Sequence, residues 1–369
     1  MLQFVRASPA AAKSVHIDVD TTMAARLVEI ACSRKPVDAA QFARSPLLKS
    51  QLAHHSRFGS QYSLDAYVAG VNAISGCTVP DPDPFRFAAL VKQRAIMTTA
   101  IAFLVAHQEE MASKVAAMIL PYVPDEMDFR GSVVLAPASF SCGGFAHGKD
   151  FFIDVPCIAE NIAGEYDAVT RLVAHETYHS LQDRLAPKPA ADFHKVATPD
   201  QAAELLFSQL AMEGSASLVG DMLQVTGDGQ YARFSRAEAK RGFARLPSTF
   251  KLFDYALELL RYQQPKIIQR LDDLDRLTFG GALGQPAYYM GQQMSLQIAT
   301  TFGTGAIPCV LALPPENFIF AYQRALDQPG KLKESEPLGT LTVEVAEGLA
   351  ASRKKPVSLA QCLTSRPHS

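Results

Sequence analysis

The sequence predicts a helix-rich α+β fold with one small sheet. Apolar residues make up 48% of the 369 residues and charged residues 20%, so the chain can bury a core of ordinary size and is not disordered. Apolar positions recur every three or four residues over most of the chain, which is typical of amphipathic helices. Runs with the apolar, β-branched and aromatic content of strands lie together between residues 132 and 155, and this confined position favours an α+β arrangement.

Residues 1–125 are predicted to form a helical N-terminal region. A cap at residues 20–21 can begin the first helix, and further amphipathic stretches cover about 37–56 and 63–75. A turn rich in proline follows, and its last proline suits the first turn of a long helix over about 85–120.

Residues 126–330 are predicted to combine strands and helices in a core region. Strands are expected at 132–136 and 147–155. Helices are expected at about 166–186, 201–223, 250–274, 287–302 and 315–326. The tail at 331–369 is polar, and we expect it to pack weakly except at 341–345.

Charge and apolar patterns argue against two classes of partner. The 35 Lys and Arg residues are balanced by 37 Asp and Glu residues, so the net charge is −2 and no basic field exists for a nucleic-acid backbone. The longest largely apolar run, 95–106, is too short to cross a bilayer. The first residues lack the apolar segment of a signal peptide, so the sequence as it stands predicts a cytoplasmic protein, or an exported one if a signal peptide has been removed. The oligomeric state stays open.

The cysteines are predicted to be buried free thiols, although an oxidising compartment in which they pair stays open. No two of them form a C-x-x-C pair, and their wide spacing suggests neither a cysteine zinc site nor a dense disulfide scaffold. The six positions are Cys32, Cys77, Cys142, Cys157, Cys309 and Cys362.

The strongest functional signal is the stretch HETYH at residues 175–179. On a helix, His175 and His179 lie one turn apart on the same face, so both imidazoles can bind one cation at about 2.0–2.1 Å. Glu176 is rotated about 100° from His175 and can reach a water on the cation more easily than the cation itself. This H-E-x-x-H pattern therefore predicts two metal ligands and one general base.

A catalytic zinc site needs a third protein ligand. Asp183 continues the series of four-residue steps, but the helix rises about 12 Å from the first histidine to Asp183, which is too far for one ion. His194 follows several prolines and would need a sharp return of the chain. Glu213 lies in a later helical stretch that can return antiparallel, and the small residues Gly214 and Ala216 are expected to let that helix approach the motif helix closely. Glu213 is therefore the best candidate.

The H-E-x-x-H motif, followed by a helix that carries E-G-x-A at residues 213–216, resembles the gluzincin clan, the thermolysin-like zinc metallopeptidases. The resemblance is closest to poorly characterised zinc-dependent peptidases of that clan, and it is strongest over residues 130–225. It implies a zincin-like catalytic core at 126–330, with its small sheet packed on the motif helix and with Zn²⁺ as the cofactor. The ligands and the base that it implies are His175, His179 and Glu213, with Glu176.

The resemblance leaves open which residue orients the ligand histidines. Many gluzincins carry an Asp four residues after the ligand Glu, where it orients a ligand His. Ser217 occupies that position in this sequence, and Asp221 lies one helical turn further on.

A hydrolase also needs a donor for the oxyanion that forms on water attack. In this clan a Tyr or His from a later helix commonly serves. Tyr288 and Tyr289 open a predicted helix in which Gly291 permits close packing, and we slightly prefer Tyr289 as the donor. The other reading, that both tyrosines belong to the core, stays open. Tyr178 inside the motif is expected to pack against the sheet.

These residues predict a zinc-dependent hydrolase, a metallopeptidase that cleaves peptide bonds of a peptide or protein substrate. The edge of the sheet at 147–155 is expected to hold an extended peptide by strand addition. Two alternatives stay open. One is a metal-dependent biosynthetic enzyme that acts on a small molecule, with zinc or iron, and the other is a non-catalytic zincin-like binding protein.

Overall fold

A computed structural model gives a helix-rich α+β chain with one four-stranded sheet, which confirms the predicted fold class. The described residues are 13–56, 59–139, 144–147, 150–188, 195–262, 267–353 and 358–364. The first helices are α1 (Thr22–Ile30), α2 (Ala39–Arg44), α3 (Pro46–His55), α4 (Leu64–Ser75), α5 (Ala88–Lys92), α6 (Arg94–Ala106) and α7 (Gln108–Ile119). The later helices are α8 (Ile162–Leu185), α9 (Pro199–Val219), α10 (Gln230–Ala244), α11 (Leu246–Tyr262), α12 (Ile267–Thr278), α13 (Pro286–Phe302), α14 (Ala306–Leu311), α15 (Glu316–Leu326) and α16 (Thr340–Ser352).

The sheet has the strand order β1-β2-β4-β3. Its strands are β1 (Ser14–Asp20), β2 (Asp128–Ala136), β3 (Gly144–His147) and β4 (Asp150–Asp154). Strands β1, β2 and β4 run parallel, and β3 pairs antiparallel with β4. The sheet thus joins a strand from the start of the chain to three strands from the middle.

We predicted that the N-terminal region is helical, and strand β1 shows that this was wrong for its first described residues. Ser14 pairs with Asp128 and Asp20 pairs with Val134, so β1 follows β2 over seven residues. The alternating apolar residues Val15, Ile17 and Val19 are the period-two signal of a strand, which our interpretation of this segment missed.

The predicted strands are both present, but the second has different limits. The first expected strand is extended to Asp128–Ala136, and the second corresponds to Asp150–Asp154, while His147 ends the separate strand β3. Because β4 pairs with β2 on one side and β3 on the other, the expectation of an edge at 147–155 was wrong. The edge on that side is Gly144–His147.

The long helix predicted over 85–120 is three consecutive helices, α5, α6 and α7. The chain leaves the helical conformation at Gln93, with φ −120° and ψ 28°, and again at His107, with φ −109° and ψ 12°. Neither break has a proline, so composition gave no signal for them.

The sheet packs on α8, the helix that carries the HETYH motif, as predicted. Gly131 of β2 faces Thr177 of α8 so closely that a Cβ on the glycine would lie 2.6 Å from the threonine Cγ2. Val173, Ala174 and Leu181 of the same helix are fully buried in the main core. The sheet and α8 therefore form one packed layer pair.

Helices α9 and α13 cross with their backbones almost in contact. A Cβ on Gly214 of α9 would lie 2.3 Å from the backbone of Gly291 of α13. We expected Gly214 to let α9 approach the motif helix, and this was wrong, because the glycine faces α13. The expectation that Gly291 permits close packing is confirmed.

The tail is packed more firmly than predicted. Helix α16 buries Ala346 and Leu349 beyond the expected 341–345, and it packs against α11 and α15. At its end, Arg353 donates to Glu316 at 3.0 Å and to Glu204 at 3.1 Å. The polar composition of the tail could not reveal that Arg353 pairs with two buried carboxylates from earlier helices.

The prediction of free thiols was wrong for the described cysteines, none of which is free. Cys32 pairs with Cys77, and Cys309 pairs with Cys362. Cys157 is also disulfide-bonded, and Cys142 lies outside the described residues. The pairs join residues 45 and 53 positions apart, so only the tertiary fold brings them together.

In the described part of the chain, no helix is long and apolar enough to span a membrane.

We expect Gly214→Ala to lower the free energy of unfolding by about 1–3 kcal/mol, because the added methyl group must force α9 and α13 apart. Gly348→Ala in α16 is the matched control. Apart from the neighbouring backbone of α16 itself, no atom lies within 4 Å of its new Cβ, so the substitution should raise stability by about 0.4–1 kcal/mol. Denaturant unfolding of both variants measures the difference, and equal effects would contradict the close crossing.

Candidate metal centre

Two long, well-capped helices carry the predicted metal ligands. Asn161 is the N-cap of helix α8, and its side chain accepts a hydrogen bond from the Gly164 amide. Thr198 is the N-cap of helix α9, where it accepts from the Gln201 amide, and a proline occupies the first turn. These signals fix where each helix starts, so the ligand positions along both helices are set locally.

His175, His179 and Glu213 lie together at the contact between α8 and α9. The Nε2 atoms of the two histidines are 3.2 Å apart. The Glu213 Oε2 atom is 3.4 Å from His175 Nε2 and 3.3 Å from His179 Nε2. The three side chains are only 12%, 18% and 23% exposed, in that order. Among the described residues, this is the one group of three or more His, Cys, Asp or Glu side chains whose ligand atoms lie close enough to hold a metal ion.

The geometry of these three atoms fits a tetrahedral cation. Zinc binds His nitrogen and carboxylate oxygen at about 2.0–2.1 Å, so two ligand atoms on a tetrahedron lie about 3.3–3.4 Å apart. The observed separations of 3.2 Å, 3.3 Å and 3.4 Å match that value. The Glu213 Oε2 atom is also buried, and the Nε2 atoms of the two histidines contact it. A buried carboxylate oxygen is costly without a positive charge beside it, and a cation would supply that charge.

The charges in the cluster are strongly coupled. Burial lowers the pKa of His179, but the Glu213 charge and hydrogen bond, with contributions from Glu176 and Gln182, outweigh burial and raise it to about 9. Burial alone would raise the pKa of Glu213, yet the charge of His179 and hydrogen bonds to both histidines hold it far below its usual value. The carboxylate therefore stays ionised and favours a positive charge between the three side chains.

Gln182 is hydrogen-bonded to His179 on the side of the ring that faces away from the other two ligands. Its Oε1 atom lies 2.6 Å from His179 Nδ1, and its Nε2 atom donates to the Met212 carbonyl at 2.7 Å and to Ser215 Oγ at 2.8 Å. Our sequence analysis missed this contact. The available signal was the three-residue spacing from His179, which places the two side chains on the same helix face.

The other residues considered for the centre lie elsewhere or serve other contacts. Asp183 is exposed, and His194 lies outside the described residues. Asp221 Oδ1 accepts from the Leu223 amide at 3.0 Å and from Gln292 Nε2 at 2.9 Å, and neither partner is a ligand histidine. Ser217 lines the cleft beside the cluster.

A cleft of about 410 Å³ opens beside the cluster. His175 and Glu176 of α8 form part of its wall, and Tyr288 of α13 forms another part. Helix α10 contributes Tyr231, Phe234, Ser235 and Glu238, which recur at the spacing of one helix face. Glu176 therefore faces the same space as the ligand His175, as the offset in the motif predicts.

Glu165 fixes the α10 wall of the cleft to α8. Its two carboxylate oxygens accept hydrogen bonds from the Tyr231 amide at 2.9 Å and from the Ala232 amide at 2.7 Å. These amides lie in the first turn of α10, where backbone donors have no helical partner. The buried Glu165 thus caps α10 from another helix, a contact that the sequence alone could not reveal.

Tyr288 lies closer to the metal ligands than Tyr289 does. The Tyr288 ring stacks on the His175 ring at 6.1 Å with an interplanar angle of 7°. Tyr289 instead lies on Gly242 of α10, where a Cβ would be 2.1 Å from its ring. Burial, followed by the charges of Glu213 and Glu176, raises the pKa of Tyr288 above its usual value, so its phenol stays protonated and can donate. The geometry thus favours Tyr288, in contrast to our slight preference for Tyr289.

The third tyrosine that we considered, Tyr178, is fully buried. Its hydroxyl donates to the Tyr122 carbonyl at 3.4 Å, and the two rings pack at 6.3 Å. Tyr122 lies three residues beyond the end of α7, so this contact gives Tyr178 a packing role away from the cluster.

The family described as "Putative zinc dependent peptidase (DUF5700)" matches residues 87–329, which cover the sheet strands β2 to β4, the metal cluster and the cleft. The chain belongs to this family. Its description as zinc dependent agrees with the predicted Zn²⁺ and with the tetrahedral spacing of the three ligand atoms. No curated protein and no solved structure matches the chain.

We predict about one zinc per purified chain. His175→Ala, His179→Ala and Glu213→Ala should each abolish stoichiometric zinc, because each removes one corner of the ligand triangle. Glu176→Gln and Asp183→Ala should keep the zinc content of the wild type, since neither side chain belongs to the triangle. Elemental analysis after dialysis makes the comparison, and equal zinc in all variants would reject the assigned ligands.

Proposed function

We propose that this chain is a zinc metallopeptidase. The observation that carries the proposal is the position of Glu176, which lines the same cleft as the ligand His175 while the three ligand atoms hold the spacing of a tetrahedral cation. A catalytic zinc site uses three protein ligands and leaves the fourth position for water or substrate. A carboxylate beside that position is the arrangement that peptide hydrolysis requires.

The protein side chains divide the chemistry between them. Bound zinc would polarise the carbonyl of the scissile bond and lower the pKa of a water. Glu176 takes a proton from the attacking water and delivers it to the nitrogen of the leaving amine. Tyr288 donates a hydrogen bond to the carbonyl oxygen as negative charge develops there. His175, His179 and Glu213 hold their positions throughout and exchange no proton with the substrate.

The sheet edge offers a way to align an extended substrate. Strand β3, Gly144–His147, is the outer strand next to β4, and Gly144 lines the cleft together with His175. An extended peptide that pairs with an edge strand gains main-chain hydrogen bonds regardless of its side chains. We therefore assign peptide alignment to β3 instead of the segment 147–155.

The disulfides support an oxidising compartment for the mature protein. Two disulfides join described residues, and Cys157 is also disulfide-bonded. Disulfides persist in secreted and periplasmic proteins and are rare in the reducing cytosol. We therefore favour export over the cytoplasmic location among the two that the sequence left open.

Glu176→Gln should lower peptidase activity by about 10²–10⁴-fold while the zinc content stays unchanged, because the amide cannot take the proton. A digest of mixed peptide pools by the zinc-loaded wild type identifies a substrate for the measurement. Asp183→Asn, which neutralises an exposed carboxylate on the same helix, is the control and should keep full activity. Zinc-loaded wild type that cleaves no peptide pool would reject the peptidase proposal and favour a small-molecule enzyme or a binding protein.

Tyr288→Phe should lower turnover by about 10²–10³-fold, because the substitution removes a donor aimed at developing charge. Tyr289→Phe is the matched control, one residue away on the same helix, and should change turnover little because its ring lies on Gly242. Zinc content and unfolding of both variants should stay close to the wild type. A defect confined to Tyr289→Phe would restore the role that the sequence analysis preferred.

A further inference from the structure

Gln182 makes three hydrogen bonds that connect both ligand-bearing helices. The side chain is fully buried and lies one helical turn beyond His179 on α8. One end contacts His179 Nδ1 at 2.6 Å, and the other contacts the Met212 carbonyl at 2.7 Å and Ser215 Oγ at 2.8 Å on α9. Met212 immediately precedes the ligand Glu213. A single amide therefore contacts one metal ligand directly and the backbone next to another.

The partners on α9 fix which end of the amide faces which helix. The Met212 carbonyl can only accept a hydrogen bond. The single proton of Ser215 Oγ faces two carbonyl acceptors, Ala211 at 2.7 Å and Met212 at 3.3 Å, so the serine oxygen accepts from Gln182. The amide NH₂ group must therefore face α9, and its carbonyl oxygen must face His179.

This orientation fixes the state of the imidazole. Because the Gln182 oxygen is an acceptor, His179 Nδ1 must carry a proton and donate it. The lone pair of the neutral ring then lies on Nε2, the atom that faces His175 and Glu213. The hydrogen-bond chain from Ala211 through Ser215 and Gln182 thus selects the tautomer that a cation needs.

We propose that Gln182 is the positioning residue of the metal centre, which selects the Nε2 ligand tautomer of His179 and holds α8 and α9 at the separation that the three ligands require. The inference rests on the zinc site of the proposed function. In many gluzincins an Asp at the position of Ser217 orients a ligand histidine. In this chain the proposal gives that role to the neutral amide of Gln182, on the same helix as the ligand His179. In the described part of the chain, neither Ser217 nor Asp221 is hydrogen-bonded to a ligand histidine, whereas Gln182 contacts His179 directly.

The test compares two buried glutamines. Gln182→Met keeps the length of the side chain but removes both ends of the amide, and it should weaken zinc binding by about 10–100-fold. Gln297→Met is the matched control, because Gln297 is also fully buried, accepts from the Leu332 amide and Ser335, and donates to Thr301 away from the cluster. This control should destabilise the protein while its folded form binds zinc within about twofold of the wild type.

Chelator competition measures zinc affinity, and denaturant unfolding of the metal-free variants measures stability independently. The visible absorption bands of the Co²⁺-loaded protein should change in Gln182→Met and stay unchanged in Gln297→Met, because they report the ligand geometry directly. Equal zinc affinity and equal Co²⁺ spectra for Gln182→Met and the wild type would overturn the inference. A loss of stability alone cannot explain weaker zinc binding in Gln182→Met, because Gln297→Met is also expected to lose stability and yet to bind zinc normally.

A measurement on the wild type keeps the test valid if Gln182→Met does not fold. In zinc-loaded protein with ¹⁵N-labelled histidines, one imidazole proton that exchanges slowly should lie on His179 Nδ1, with Nε2 as the zinc-bound nitrogen. A proton on Nε2 would contradict the selected tautomer. Absence of zinc binding by the wild type would reject the metal centre itself, whereas zinc binding that depends on Gln182 without peptide cleavage would reject only the peptidase proposal.

Discussion

The site depends on one buried carboxylate oxygen, Glu213 Oε2, held between two imidazole nitrogens. The oxygen is buried, so its ionised form requires a positive charge beside it. The raised pKa of His179, about 9, expresses the same requirement, since a proton satisfies the carboxylate when no cation does. A divalent cation meets this requirement better because all three ligand atoms lie at tetrahedral spacing. The separation of α8 and α9 must therefore be set precisely by packing elsewhere.

Close backbone approaches provide that precision. A Cβ on Gly220 at the end of α9 would lie 2.8 Å from the His175 Cβ, so the chain passes directly behind this ligand. On the other side, Gly214 meets Gly291 and fixes α13 against α9 immediately beside Glu213. Tyr288 lies one helical turn before Gly291 and so shares its face, while Tyr289 is rotated about 100° toward α10. The close contact between α9 and α13 thus fixes the position of Glu213 and also the direction of the Tyr288 side chain.

The local signals in the sequence were sufficient for the central part of the site. The spacing of His175, Glu176 and His179 is a property of one helix, and Glu213 followed from the helix that must return beside it. The choice between Tyr288 and Tyr289 was not local, because it depends on the contact between two glycines that are far apart in sequence. The pairing of β1 with β2, the disulfides and the cap from Glu165 are equally non-local. Gln182 is different, since its three-residue spacing from His179 was visible but its partners on α9 were not.

The neutral amide of Gln182 also bears on the charge of the centre. Two neutral imidazoles, one carboxylate and a divalent cation carry a net charge of +1. A carboxylate in contact with a ligand histidine would raise the basicity of the imidazole and reduce this positive charge, whereas an amide leaves it in place. Glu176, the carboxylate next to the ligand His175 in the chain, lies in the cleft where a mobile proton is needed, not behind a ligand where it would be fixed. The neutral amide therefore keeps positive charge on the cation and places a negative charge in the cleft on Glu176, the proposed general base.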